Sequence, residues 1–183
     1  MSVRLRRREQ FIDAAMTVFA RAGVDRASVK DIAEQASVTP GLLYHYFDSK
    51  EALVAAVLKE RGFMSELGVL LEAGTDQSAF TLLPTLVRAF DEALAAHGDL
   101  VSIFFSASQA NAALRDFVAT GESMLASYLE SRATSDGLRP EMIGVAASSL
   151  FAAVAMGHKT GRRIDTDSVA ELVLNGLTVS KKG

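Results

Sequence analysis

Residues 28–50 read SVKDIAEQASVTPGLLYHYFDSK, and the fold turns on this stretch. Ser28 is placed to cap a helix, and Asp31 three residues on completes a capping-box pattern at the positive helix end. Ile32, Ala33 and Ala36 then fall on one inward face. Ser37-Val38 makes a short turn. Thr39 is a good N-cap and Pro40 suits the first helical position, so a short third helix is predicted from Pro40 to about Phe47. Asp48 or Ser49 caps the next helix, with Glu51 where a capping carboxylate belongs. Two short helices across a tight turn give a helix-turn-helix outline. A helix N-terminus offers free N–H groups to phosphate. Small residues there let the backbone approach a groove, while tyrosine, histidine and Lys50 supply donors and charge to phosphate oxygens.

Outward from this stretch, helical spacing persists. A first helix is predicted from about Leu5 to Ala22, with Phe11, Ile12, Ala15, Val18, Phe19 and Ala22 at helical spacing and Gly23 as its C-cap. The fourth helix is predicted to run to Glu72, weakened at Gly62 and Gly68. Further helices are expected at Ser78–Ala96 (Pro84 starting or kinking it), Leu100–Ser108, Asn111–Arg132, Pro140–His158 and Asp165–Thr178, before a tail of Lys181, Lys182 and Gly183. Sustained period-2 alternation is missing. The expectation is therefore an all-α fold of about nine helices. Residues 1–50 are read as a three-helix helix-turn-helix unit and residues 51–183 as a larger helical unit, whose ligand-sensing and dimerisation roles come only from a family resemblance, with no repeat or low-complexity linker.

Composition bounds the function classes. The chain has 183 residues, 49% of them hydrophobic, and a net charge of −3, so a core forms and disorder is disfavoured. It has no cysteine, hence neither disulfide nor thiol nucleophile, and a reducing cytoplasm fits. No membrane span is expected: the longest weakly polar run, Val145 to Gly157, is short and rich in Ala and Ser. Glu9, Asp13 and Arg21 interrupt any signal-peptide pattern. Residues 1–50 carry eight basic against six acidic side chains, an asymmetry that suits nucleic acid at the basic end. Phosphate-loop, dinucleotide, zinc-protease and nucleophile-elbow motifs are missing, so an enzyme is not expected. Three histidines without cysteine argue against a metal site, and no cofactor is implied.

Residues 11–53 resemble the DNA-binding domain of the TetR family of transcriptional regulators. The features that carry the resemblance are Ala14-Ala15, Phe19, Gly23, the run Ser28 to Ala33, Val38, Gly41 with Leu43-Tyr44-His45-Tyr46-Phe47, and Ser49 to Leu53. The resemblance implies that Ser28, Tyr44, His45 and Lys50 bind phosphate. It places Thr39, Gly41 and Leu42 nearest the base edges, with Pro40 beside them on the DNA-binding surface, and Ile12, Phe19, Ile32, Leu43, Tyr46 and Phe47 in the small core. Two positions depart from the family's usual pattern. Ser37 stands where the turn often has glycine, at a conformational cost. Leu42 stands where Thr or Ser is commoner; leucine cannot hydrogen-bond a base but can touch a thymine methyl. The arginines before residue 9 stand between two readings, a DNA-contacting arm or a solvated, disordered start.

For the remainder, the resemblance implies a homodimer on a palindromic double-stranded operator, with no membrane partner. The family's plan puts the dimer seam on the last two helices, one with small residues at Ala146, Ala147, Ser148, Ser149, Ala152, Ala153, Ala155 and Gly157, the other with a seam of Val169, Leu172, Val173, Gly176 and Leu177; the alternative is that both are ordinary core helices. A pocket for a small, largely apolar effector would be lined by Phe63, Leu67, Phe90, Phe104, Phe105, Phe117, Met124, Tyr128 and Phe151, with Tyr128, Gln109 or a serine as polar handle. Aromatics at this spacing also make plain core. His158 is expected as a satisfied core side chain and His97 as a helix-end decoration. Effector binding would release a repressor from DNA. The alternative is a helical ligand-binding or adaptor protein without specific DNA binding.

Overall fold

The computed structural model describes residues 3–96, 98–106 and 112–178. His97, Gln109 and the Lys181–Gly183 tail lie outside them, and so does the side chain of Phe104. The helices are α1 (Val3–Ala22), α2 (Val29–Gln35), α3 (Pro40–Tyr44), α4 (Lys50–Arg61), α5 (Met64–Ala73), α6 (Ala79–Ala96), α7 (Gly98–Ser106), α8 (Ala112–Asp136), α9 (Ile143–Thr160) and α10 (Thr166–Leu177), with a 3₁₀ turn at Pro140–Met142. Among the described residues no strand forms; a single isolated bridge pairs Leu138 with Thr178. Two compact units result: Met1–Gly62 with His97–Phe117, and Phe63–Ala96 with Val118–Gly183.

In the first unit, α1 packs on α2, α4 and α7. Its apolar stripe buries Phe11, Ile12, Ala15, Val18 and Phe19 against Ile32, Ala33, Leu43, Phe47, Leu53 and Val57. Each large side chain so buried contributes roughly 1.5–3 kcal/mol. Leu100 and Ile103 of α7 complete this core, so a segment about forty residues beyond α4 belongs to the unit that carries the helix-turn-helix. The packing boundaries thus differ from a division at residue 50.

Three element boundaries also differ from expectation. Helix α1 opens at Val3, so Arg4, Arg6, Arg7 and Arg8 are helical, neither a free arm nor a disordered start. Helix α3 ends at Tyr44, with His45 as C-cap. The long fourth helix divides at Gly62, which is extended at φ −85° and ψ 169°. A Cβ there would collide with the Leu58 carbonyl and lie 2.6 Å from the Phe117 ring, so glycine is what this break admits.

In the second unit, α6 packs on α9 and α10, α9 on α10, and α5 on α6. Pro84 lies inside α6 rather than at its start. The N-terminus of α6 is closed from elsewhere in the unit: Asp136, at the end of α8, accepts from the Ala79 backbone N–H at 2.6 Å. Asp165 caps α10 by accepting from the Ser168 N–H at 3.1 Å. Helix α9 with its preceding turn, Pro140–Thr160, is long and apolar enough to cross a membrane by length and composition, because helix continues past the short apolar run on both sides. Most of it is unburied within the chain, and its open face carries Val145, Ser148, Ser149, Ala152, Ala153 and Met156. Leu172 of α10 is 75% exposed.

Candidate nucleic-acid interface

The helix-turn-helix forms as its local chemistry demands. The Ser28 side chain accepts from the Asp31 N–H at 3.2 Å, while the Asp31 carboxylate accepts from the Ser28 N–H at 2.9 Å and from its hydroxyl at 2.6 Å. Those bonds, the hydroxyl's first, hold the Asp31 carboxyl below its ordinary value. The Ser28 hydroxyl, expected to face phosphate, is thereby committed to its own helix. Ser37 closes α2 at φ +55°, the left-handed conformation that the departure from glycine implied. The Val38 N–H then donates to the Ala33 carbonyl at 2.9 Å and turns the chain into α3.

Helix α3 has two faces. Leu43, and Phe47 just past the helix, are buried in the unit's core. Thr39, Pro40, Gly41, Leu42, Tyr44 and His45 are exposed, Leu42 at 37% and Tyr44 at 52%. Thr39 caps by backbone position only, its hydroxyl making no capping bond. A Cβ on Gly41 would meet nothing within 4 Å. Tyr46 points the other way and meets Phe11 edge to face, ring centroids 5.1 Å apart, as a core aromatic should. So all the base-edge candidates and two of the four phosphate candidates share one open face. Because α3 is only five residues long, that face relies on side chains more than on a helix dipole.

Lys50 does not join this face. Its Nζ donates to the carbonyls of Val24 at 2.9 Å, Ala27 at 3.1 Å and Asp25 at 3.3 Å. Three ammonium hydrogens meet three acceptors, so the side chain expected on phosphate is occupied within the protein. Sequence reasoning missed this because the partners are backbone atoms of a loop more than twenty residues away. Arg8 is likewise engaged: it pairs with Glu60 and lies over the Phe47 ring, 5.2 Å from its centroid. Arg61 pairs with Asp13 at 2.9 Å, adding a second tie between α4 and α1. Arg4 and Arg6 remain exposed on α1.

The proposed effector residues are divided between the two units. Phe105 is exposed and Phe117 half-buried in the first unit, the latter packed on its core. In the second unit Phe63, Phe90 and Phe151 form a run of rings, centroids 5.3 and 5.1 Å apart. Leu67 is buried and Met124 half-buried, its Cε facing Gly68. Tyr128 is buried, and its hydroxyl donates to the Gln77 carbonyl at 3.0 Å; burial and the nearby Asp136 charge push its pKa up. Its polar end is therefore satisfied internally. His158 Nε2 lies 2.8 Å from Asp91 Oδ1, a satisfied contact as expected. Leu177, placed on the seam by sequence, is fully buried, and Gly157 is covered by Ile164, whereas Leu172 and Gly176 lie open.

Comparison with known proteins agrees with this geometry. Residues 11–57 match the model for bacterial regulatory proteins of the tetR family. A transcriptional repressor of Rhodococcus jostii, KstR2, is 38% identical over 102 residues, which is 54% of this chain; the chain spans about half (48%) of that protein's length. The structure of the ketosteroid transcriptional regulator KstR2 of Mycobacterium tuberculosis superposes with a TM-score of 0.63 at 25% identity, covering 95% of this chain and 96% of that one. The Bacillus subtilis regulator FadR, solved with stearoyl-CoA, shares the fold with a TM-score of 0.74 at 24% identity, over 92% and 98% of the two chains. The capped α2, the left-handed turn and the open α3 face all lie within the residues that match the tetR family of bacterial regulatory proteins.

Proposed function

We propose that this chain is a DNA-binding transcriptional regulator, a homodimeric repressor that leaves its operator when a small, largely apolar molecule binds. The observation that carries the reading is the outward face of α3. Its core-facing side is complete with Leu43 and Phe47, while Thr39, Pro40, Gly41, Leu42, Tyr44 and His45 have no burial to justify them. Gly41 adds weight: glycine costs about 0.5–1 kcal/mol in a helix relative to alanine, and here no neighbour requires it. Bare backbone facing outward suits close approach to a groove. Tyr44 and His45 serve phosphate oxygens, and Leu42 a thymine methyl.

A second copy fits the open face of α9 and α10, where small side chains allow close helix approach and Leu172 offers an apolar knob. Two copies address two half-sites one or more turns apart, ~34 Å per turn, which favours a palindromic operator. The aromatic run Phe63, Phe90, Phe151 supports an apolar effector. The Mycobacterium tuberculosis structure named as a ketosteroid transcriptional regulator makes that class the first to screen. A ligand that prefers one conformation of the dimer shifts the population toward it, and operator and ligand then weaken each other by the same factor.

Selection of genomic fragments by the purified protein tests the proposal. The expected outcome is enrichment of a short inverted repeat near a promoter; recovery of fragments with no shared sequence overturns it.

A further inference from the structure

We infer that Lys50 acts on DNA binding as a positioning residue: it clamps the loop between α1 and α2 and is not a ligand of phosphate. The inference rests on the DNA-binding reading above. Lys50 opens α4, directly after its cap, where the Ser49 hydroxyl accepts from the Ala52 N–H at 3.0 Å. From there its stem reaches back to residues 24–27, and the ammonium donates to three of the loop's carbonyls at 2.9 to 3.3 Å. This loop leaves α1 through Gly23 at φ +81° and ends at Ser28, the cap of α2. Val24 and Ala27 are buried, so the loop is pinned from below by its side chains and from its carbonyl side by Lys50.

The charge on an ammonium makes these bonds stronger than neutral ones. An ammonium has three hydrogens, and each is directed at a carbonyl. To bind phosphate, Lys50 would have to abandon that cup and leave three carbonyls facing one another. The cheaper course leaves it in place. Its effect on DNA is then to fix where α2 starts relative to α4, and hence the seat from which α3 presents its face. Arginine cannot substitute, because a planar fork does not direct its hydrogens at three converging acceptors from one atom.

The test compares Lys50→Met and Lys50→Arg with the parent full-length chain, using binding to a labelled random-sequence duplex across a salt series, and amide hydrogen exchange. Binding is measured well below each protein's melting temperature, so that a loss of stability alone leaves affinity unchanged. Expected for Lys50→Met is a several-fold loss of affinity with an unaltered slope of log affinity against log salt. Exchange at the amides of residues 26–30 should accelerate about tenfold, and Lys50→Arg should restore neither affinity nor protection. A phosphate ligand would instead shift the slope by about 0.9. That shift, unchanged exchange, unchanged affinity of the folded variant, or full rescue by arginine each overturns the inference. If Lys50→Met does not fold, the arginine variant alone carries the same comparisons. If the parent chain binds no duplex at all, the DNA reading fails and the positioning role falls with it, while the exchange arm separately decides whether the clamp exists.

Discussion

Ser37 and Gly41 are opposite exceptions a few residues apart: a side chain where the backbone favours none, and none where the helix favours one. Ser37 at φ +55° bears a left-handed conformation that glycine adopts freely. Ser37→Gly is expected to raise stability by roughly 0.5–1 kcal/mol, read from the denaturant midpoint. Gly41→Ala is expected to stabilise by a similar amount, since the added methyl meets nothing inside the protein. It should at the same time weaken duplex binding by about tenfold, equivalent to ~1.4 kcal/mol at the interface. Stability and affinity moving together under Gly41→Ala would contradict the α3 reading. At this scale the sequence was informative wherever a residue answers to its immediate neighbours: the Ser28–Asp31 cap, the cost at Ser37, Tyr46 as core. It was silent where a side chain's partner is distant backbone, as at Lys50, or where a hydroxyl already has a local acceptor, as at Ser28.

Carboxylates take part in the caps of α2 and α10, and acid should loosen both. Asp31 is held below 3.8 by the hydroxyl and then the backbone N–H of Ser28; Asp165 likewise by the backbone N–H and then the hydroxyl of Ser168. A carboxyl depressed in the native state contributes stability that is present above its unfolded pKa and lost as pH falls through the native one. Stability should therefore decline below about pH 3.8, modestly because both groups are solvent-exposed. The paired variant Asp31→Asn, Asp165→Asn should be less stable at neutral pH and show a flatter acid limb in thermal melts. The break between α4 and α5 is the firmer element boundary. Gly62→Ala drives a methyl against the Leu58 carbonyl and the Phe117 ring, and a loss of roughly 1–3 kcal/mol is expected in denaturant unfolding. The sequence marked Gly62 as a weak point in a long helix but not as its end, because the decisive neighbour, Phe117, is 55 residues away. For the same reason nothing local to Leu100 and Ile103 told that α7 packs with the first unit.

At the level of the whole chain, periodicity and turn residues suffice for an all-helical fold, since helical spacing of apolar residues recurs along it and α2, α4 and α10 carry local side-chain caps. They do not suffice for its division into units, which depends on which stripe meets which. The unburied face of α9 and α10 was legible as a run of small residues, but Leu172 and Leu177 were indistinguishable until packing placed one outside and the other within. Leu172→Glu puts a charge on the open face and should leave the monomer folded. Sedimentation velocity should then report a shift from dimer to monomer, and duplex affinity should fall on the order of a hundredfold as the second half-site contact is lost. The proposed pairing through this surface also has a genetic signature. Cells holding equal amounts of the intact chain and one damaged only in α3 would assemble about half of their dimers as mixed pairs, leaving about a quarter fully armed. A reporter under the operator should therefore show the α3 lesion as dominant, and adding Leu172→Glu to the damaged copy should make it recessive.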